Sequence, residues 1–338
     1  MSSPRTLLFR GQGLPASLMA LACRLCLEGR MLPIDGMVPV LITPFGGDEA
    51  VRVEDTERQV EVAVRSGVSA ICLPAYGGES QKLAEAERMG LIRTAVHSAR
   101  GRIPVIAHCS HASVRLAGEL ARRSADLGVE AIAVALPRSL SLTEDDHIRY
   151  CAGAGKATSL PLLVLDYNPG GPAVGLSFVR RLLAECPTFG FLVIEEPLMA
   201  AKVGAIRDAT GGQVGVLEGW GGTHLMELAA AGICGVMPGL GTADLMERIW
   251  RLRRAGSVTE AYSLFTGVLP LLLFCQQNPE IRHYAERRLL LRRGVITSET
   301  IREPTVALDR HSQAYGDEVI ALFLRTLERA GLPRRPLE

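Results

Sequence analysis

From residue 38 onward, short apolar runs alternate with stretches whose apolar residues recur at helical spacing. The runs are Val38–Thr43, Ala70–Pro74, Pro104–His108, Ala131–Leu136, Leu162–Tyr167, Phe191–Glu195, Val214–Glu218 and Gly235–Pro238. Amphipathic stretches follow them near 55–67, 83–99, 113–127, 143–155, 177–185, 198–210, 222–231 and 242–254. Several runs are apolar on both faces, the pattern of parallel strands covered by helices. An eight-fold barrel and a doubly wound sheet both satisfy it. The count of eight and the even spacing favour an α/β fold of the (β/α)8 barrel type. No Gly-x-Gly-x-x-Gly opens the first helix, which counts against a dinucleotide-binding sheet.

Past residue 256 the strand signal stops. Helical patterns near 257–276, 279–293 and 313–331 follow, punctuated by Pro279 and Pro304. The expected organisation is an N-terminal extension (1–36), a barrel (37–256) and a helical region packed on it (257–338). Within the extension, Leu14 to Leu27 is apolar but short and interrupted by Arg24, which argues against a membrane span. Arg5, Arg10, Arg24 and Arg30 with few acids suit a transit peptide, and a basic start before an apolar stretch suits export. A later start at Met31 or Met37 is a third reading, and the three stay open.

Composition narrows the partners more than the chemistry. The chain has 338 residues, 48% hydrophobic and 22% charged, with a net charge of +1, so nothing recommends a nucleic acid or an anionic membrane. Its arginines are scattered among acids, as on solvated helix faces. Eight cysteines occur, several inside apolar runs where a thiol behaves as a small core residue. Cys23-x-x-Cys26 has no second pair to make a zinc or redox site. This usage suits a reducing, cytoplasmic setting. Only three lysines are present, Lys82, Lys156 and Lys202, so amine chemistry has few places to reside.

In a (β/α)8 barrel the chemistry collects at the carboxyl ends of the strands. The residues there are Thr43, Tyr76, Glu79, His108, Tyr167, Glu195, Glu218 and Met237. Alternation along Phe191-Leu192-Val193-Ile194-Glu195-Glu196 puts Glu195 on the face of Phe191 and Val193. His108-Cys109-Ser110-His111, with Glu195 or Glu218, suggests a metal only weakly, because the spacing is no recognised ligand pattern. The expectation is therefore no metal.

Four motifs occur in order, at strands one, two, three and five. They are Val40-Leu41-Ile42-Thr43-Pro44-Phe45, then Gly78-Glu79-Ser80 with Leu83 and Glu87, then Pro104-Val105-Ile106-Ala107, then Asp166-Tyr167-Asn168-Pro169. Together they resemble the dihydrodipicolinate synthase / N-acetylneuraminate lyase superfamily, over roughly 37–330. The resemblance implies a (β/α)8 barrel with a helical tail, a small-molecule substrate, no cofactor, and a homo-oligomer (dimer or tetramer). It also implies an imine between a 2-keto acid and a strand-six lysine lying in an Ile-Lys-Glu triplet. Here that triplet reads Ile194-Glu195-Glu196, and a carboxylate cannot condense with a ketone. The family's Gly-Thr-Thr-Gly-Glu reads Ala75-Tyr76-Gly77-Gly78-Glu79, so both threonines that hold the keto-acid carboxylate are absent. Its arginine after Tyr-Asn-x-Pro is missing from Gly170-Gly171-Pro172-Ala173, and its Pro-Tyr-Tyr reads Pro137-Arg138-Ser139.

These readings define the expected site. Glu195, Tyr167 and His108 are the expected catalytic groups. Tyr76, Gly77, Gly78, Glu218, Trp220 and Met237 are the expected substrate-binding ones, and Glu79 is expected to cap the turn and helix after it. Glu195 is either an acid/base group whose pKa burial raises, or a carboxylate salt-bridged in a disused pocket. The leading expectation is a lyase acting on a small carbonyl compound by aldol, retro-aldol or dehydration chemistry without a Schiff base. The alternative is an inactive paralogue that binds a metabolite or assembles with an active relative. A conventional 4-hydroxy-tetrahydrodipicolinate synthase is the third.

Overall fold

A computed structural model describes residues 32–168 and 171–338. The apolar segment Leu14–Leu27 and the Cys23/Cys26 pair lie outside the described residues. Eight parallel strands form the sheet: β1 (Gly36–Met37), β2 (Ile71–Leu73), β3 (Val105–His108), β4 (Ala131–Ala135), β5 (Leu162–Asp166), β6 (Phe189–Ile194), β7 (Gly215–Glu218) and β8 (Gly235–Val236). The order is β1-β8-β7-β6-β5-β4-β3-β2. Val40 closes the ring by bridging Cys72 on one side and Gly239 on the other. The result is a (β/α)8 barrel.

The first strand is shorter than the predicted Val38–Thr43. Pro39 has no N–H, so it cannot donate to either neighbour, and the regular ladder stops before it. Pairing survives on both sides of that gap: Val38 N–H donates to Val236 O (2.8 Å), Val40 N–H to Pro238 O (2.9 Å), and Leu41 N–H to Cys72 O (3.1 Å).

Helices cover the outside: α1 (Val53–Ser66), α2 (Glu85–Ala99), α3 (Val114–Asp126), α4 (Glu144–Gly155), α5 (Leu176–Glu185), α6 (Met199–Thr210), α7 (Leu225–Ala231) and α8 (Ala243–Arg254). The tail adds α9 (Val258–Gln276), α10 (Pro279–Arg292) and α11 (Arg310–Arg329). Their starts follow local chemistry. Thr143 and Asp146 form a reciprocal capping box at α4. Asn278 caps α10 with Pro279 in its first turn. Asp309 accepts from His311 N and Ser312 N, so α11 begins three residues before the apolar spacing becomes visible at 313. By length and composition α9 could cross a membrane. Its Phe265, Val268, Leu271 and Phe274 are instead buried, and it packs against α8, α10 and α11.

Two apolar layers result. One lies between strands and helices and includes Val105, Leu192, Ile194, Val216 and Val236. The other fills the barrel with Val40, Ile106, Leu163, Phe191, Val193 and Leu217. Each fully buried side chain of this size contributes about 1.5–3 kcal/mol, and successive residues of one strand serve opposite layers. That alternation fixes what reaches the mouth.

Candidate active site

Phe191 and Val193 lie in the inner layer while Leu192 and Ile194 lie in the outer one. Glu195 continues the inner face of β6. Its side chain crosses Gly219 at the head of β7, where a Cβ would lie 2.5 Å from both Glu195 Cγ and Oε1. Only glycine leaves that space. Burial of the carboxyl pushes its pKa up to about 7, with Arg282 pulling the other way and Asp166 adding to the rise. Among the described residues no cation stands within ion-pair distance of Glu195. Glu196 takes the opposite face and pairs with Lys202 of α6.

Tyr167 continues the inner face of β5, after Leu163 and Leu165. Burial raises its hydroxyl, and the Glu195 charge adds to that. Its ring centroid is 6.5 Å from that of Tyr76, which in turn lies 6.4 Å from the His283 ring. Tyr167 is 37% exposed and Tyr76 is 48% exposed, so both hydroxyl-bearing rings front on solvent. Tyr76, Gly77 and Gly78 form a tight 3-10 turn after β2. A Cβ on Gly78 would stand 2.5 Å from the Leu41 carbonyl oxygen, so the turn needs glycine there. Gly77 faces the Arg282 guanidinium.

The other expected residues fall elsewhere. Leu217 points inward, so Glu218 points outward. It is wholly buried, accepts from Gly222 N (2.7 Å) and His224 N (3.4 Å), and burial lifts its pKa to about 8. It braces the loop between β7 and α7 instead of facing a substrate. One step along a strand reverses the face, which is why Glu218 leaves the inner layer that Leu217 occupies. Trp220 leans on the outer layer and on His224, with ring centroids 5.2 Å apart. Met237 belongs to the barrel filling. His108 points inward, but burial depresses its pKa to about 3, so its imidazole is neutral, with Ser110 Oγ 3.2 Å from Nε2. No hydrogen bond or ring contact among the described residues joins it to Glu195 or Tyr167.

Glu79 is no cap. It is buried and ion-paired with Arg287 of α10 and with Lys82 (3.0 Å). Lys82 also holds Glu280 (3.1 Å) and donates to Arg302 O (2.8 Å). Glu79, Glu280 and His283 offer ligand atoms within 4.8 Å of one another. The Lys82 ammonium bonds both carboxylates, which makes this cluster an ion-pair network. Asp166 is likewise satisfied, by Arg138 and by Val174 N (2.6 Å). None of this pairing was visible in the linear sequence. Arg282 and Gly219, which shape the surroundings of Glu195, gave no signal beyond ordinary helical and strand spacing.

The profile of the Dihydrodipicolinate synthetase family matches residues 33–321. An L-2-keto-3-deoxyarabonate dehydratase from Azospirillum brasilense is 28% identical over 298 residues, 86% of this chain and 94% of the relative. The 4-hydroxy-tetrahydrodipicolinate synthase 1 of Halalkalibacterium halodurans is 27% identical, covering 73% and 84%. Among solved structures, dihydrodipicolinate synthase from Rhodopseudomonas palustris superposes with a TM-score of 0.79 at 22% identity, covering 86% of this chain and 99% of that one. A prophage protein of the same family from E. coli K12, in complex with pyruvate, gives 0.77 at 19% identity, covering 89% and 99%.

Proposed function

The chain belongs to the dihydrodipicolinate synthetase family, and from that premise we propose that it is a lyase acting on a small oxo compound by proton transfer through Glu195, without an imine. The single observation that carries this reading is an inward-facing carboxyl with no ion-pair partner among the described residues, whose pKa burial lifts to about 7 and whose charge is felt at the Tyr167 hydroxyl. A base poised near the working pH is present in both protonation states, which suits it to take and return a proton.

Dehydration of a 3-deoxy-2-oxo sugar acid illustrates the chemistry, and the Azospirillum brasilense relative supports that choice. Glu195 as carboxylate removes a proton from the carbon beside the ketone. The electron pair moves onto the carbonyl oxygen, where the Tyr167 hydroxyl donates a hydrogen bond to the developing oxyanion. The enolate then expels the hydroxyl one carbon further on, and the proton held by Glu195 leaves with it as water. The same two groups serve a retro-aldol cleavage by a different proton path. Glu195 takes the proton of the hydroxyl on the second carbon from the ketone, and that oxygen becomes a carbonyl as the carbon–carbon bond breaks. The electron pair forms an enolate to which Tyr167 donates, and Glu195 returns the proton to the enolate carbon.

All three lysines lie outside this scheme. Lys82 and Lys202 are ion-paired, and Lys156 follows the end of α4. The test is turnover of wild type and Glu195→Gln on a panel of 3-deoxy-2-oxo sugar acids and on pyruvate with aldehydes. The amide keeps the shape and loses the proton, so kcat falls about 10²- to 10⁴-fold. Unchanged turnover removes Glu195 from the mechanism. A second reading, a metabolite-binding protein without turnover, draws on Tyr76, whose ring stands beside Tyr167 where the family resemblance implies a threonine. Saturable binding with no turnover by the wild type favours it.

A further inference from the structure

Three cations near the strand ends are committed to carboxylates. Arg138 is bound to Asp166, Lys82 to Glu79 and Glu280, and Arg287 to Glu79. Arg282 differs. It stands in the first turns of α10, is half-buried, and has no ion-pair partner among the described residues. Its guanidinium carbon and Nη2 lie 3.5 and 3.6 Å from the place a Cβ on Gly77 would take. The next residue, His283, puts Nε2 3.3 Å from the Tyr76 carbonyl oxygen and so fixes α10 against the turn. The nearby carboxylate of Glu286 is occupied by Gly241 N (2.7 Å). An arginine with open donors, held rigidly at a pocket rim, is suited to grip a planar carboxylate at two points.

We propose that Arg282, delivered by the helical tail, is the anion anchor of the barrel mouth and holds the carboxylate of an organic-acid substrate. It takes over from the threonine pair that the family resemblance places at Tyr76 and its neighbour. The inference rests on the mouth being the substrate site and deepens that reading, because it requires the oxo compound to be an acid. Reach supports it: the Arg282 charge is felt at Glu195 and at Tyr167.

Pyruvate and its uncharged analogue pyruvamide are the probes, titrated calorimetrically into the full chain. Wild type binds pyruvate at least tenfold more tightly than pyruvamide. Arg282→Gln weakens pyruvate about ten- to hundredfold and leaves pyruvamide within twofold. Arg282→Lys retains part of the preference. Glu195→Gln is read by turnover and Arg282→Gln by anion binding, so loss of the acid/base group and loss of the anchor are told apart. The proposal is overturned if Arg282→Gln keeps the preference for the anion. It is also overturned if both ligands weaken equally, which marks a structural role, or if the wild type shows no preference.

Discussion

Glu195 can be tested without knowing the substrate, because a perturbed ionisation leaves its mark on stability. Its folded-state pKa of about 7 stands against an ordinary value of 4.5. Each unit is worth about 1.4 kcal/mol, so the ionised group costs the fold about 3 kcal/mol. For an acid raised in this way the folded state holds the proton more tightly. The associated stability is fully present below pH 4.5 and disappears as pH rises through 7. Above that, the charge sits in the mouth against the helping field of Arg282 and the opposing fields of Asp166 and Glu218.

Glu195→Gln removes the charge and keeps the volume over Gly219. At pH 5, just above the unfolded-state value, the variant should already be ahead by a little under about 1 kcal/mol. At pH 8 the variant should be more stable by about 3 kcal/mol, a rise of roughly 5 °C in Tm for a chain of this size. Glu218 adds in the same direction, since the Glu195 charge contributes to its own upward shift. The measurement is urea denaturation of both proteins at half-unit steps from pH 5 to 8.5, with the difference plotted against pH. A flat difference refutes the reasoning. It means that Glu195 titrates as a solvated acid, and the basis for its role as a base near neutrality disappears with it.

Two further outcomes follow from the pairing of the charged groups. Borohydride reduction in the presence of pyruvate should leave the intact mass unchanged, since the Lys82 and Lys202 amines are held in ion pairs; an added mass of one reduced pyruvate, mapped to a lysine, reinstates imine chemistry. Glu79→Gln leaves the wholly buried Arg287 without its carboxylate, which should destabilise the protein by about 3–5 kcal/mol in urea denaturation, and a loss under 1 kcal/mol contradicts a load shared between barrel and tail.

Most of the architecture was legible because period-2 and period-3.6 patterns are local. Phe191-Leu192-Val193-Ile194 declares a two-faced strand by itself, and the inward aim of Glu195 follows from counting two residues on from Val193. The same counting places Glu218 outward, and reading it as a substrate contact ignored its neighbour Leu217. What stayed hidden is non-local. Glu79 meets Arg287 across more than two hundred residues, and Gly219 makes room for Glu195 from the adjacent strand. Neither relation has a spacing to detect. Arg282 is one of several basic residues in α10, and only the docking of that helix against the Tyr76 turn separates it from Arg287, Arg288 and Arg292.

The charge inventory of the mouth ties these parts together. An acid in place of the expected amine changes the local charge by two units at full ionisation, and two responses oppose it. Burial keeps Glu195 close to half-protonated at neutral pH, so only part of that negative charge is present. Arg282 supplies a compensating cation from the tail without closing an ion pair that would silence both groups. Glu79 is held by its own arginine, while Asp166, though paired with Arg138, still adds to the upward shift of Glu195. The barrel thus keeps one cation and one titrating carboxyl that sense each other without closing an ion pair among the described residues. An arrangement that separates a fixed cation from a movable proton can hold an anion at one end and exchange protons at the other, and α10 must remain docked on the Tyr76–Gly78 turn for both ends to be present.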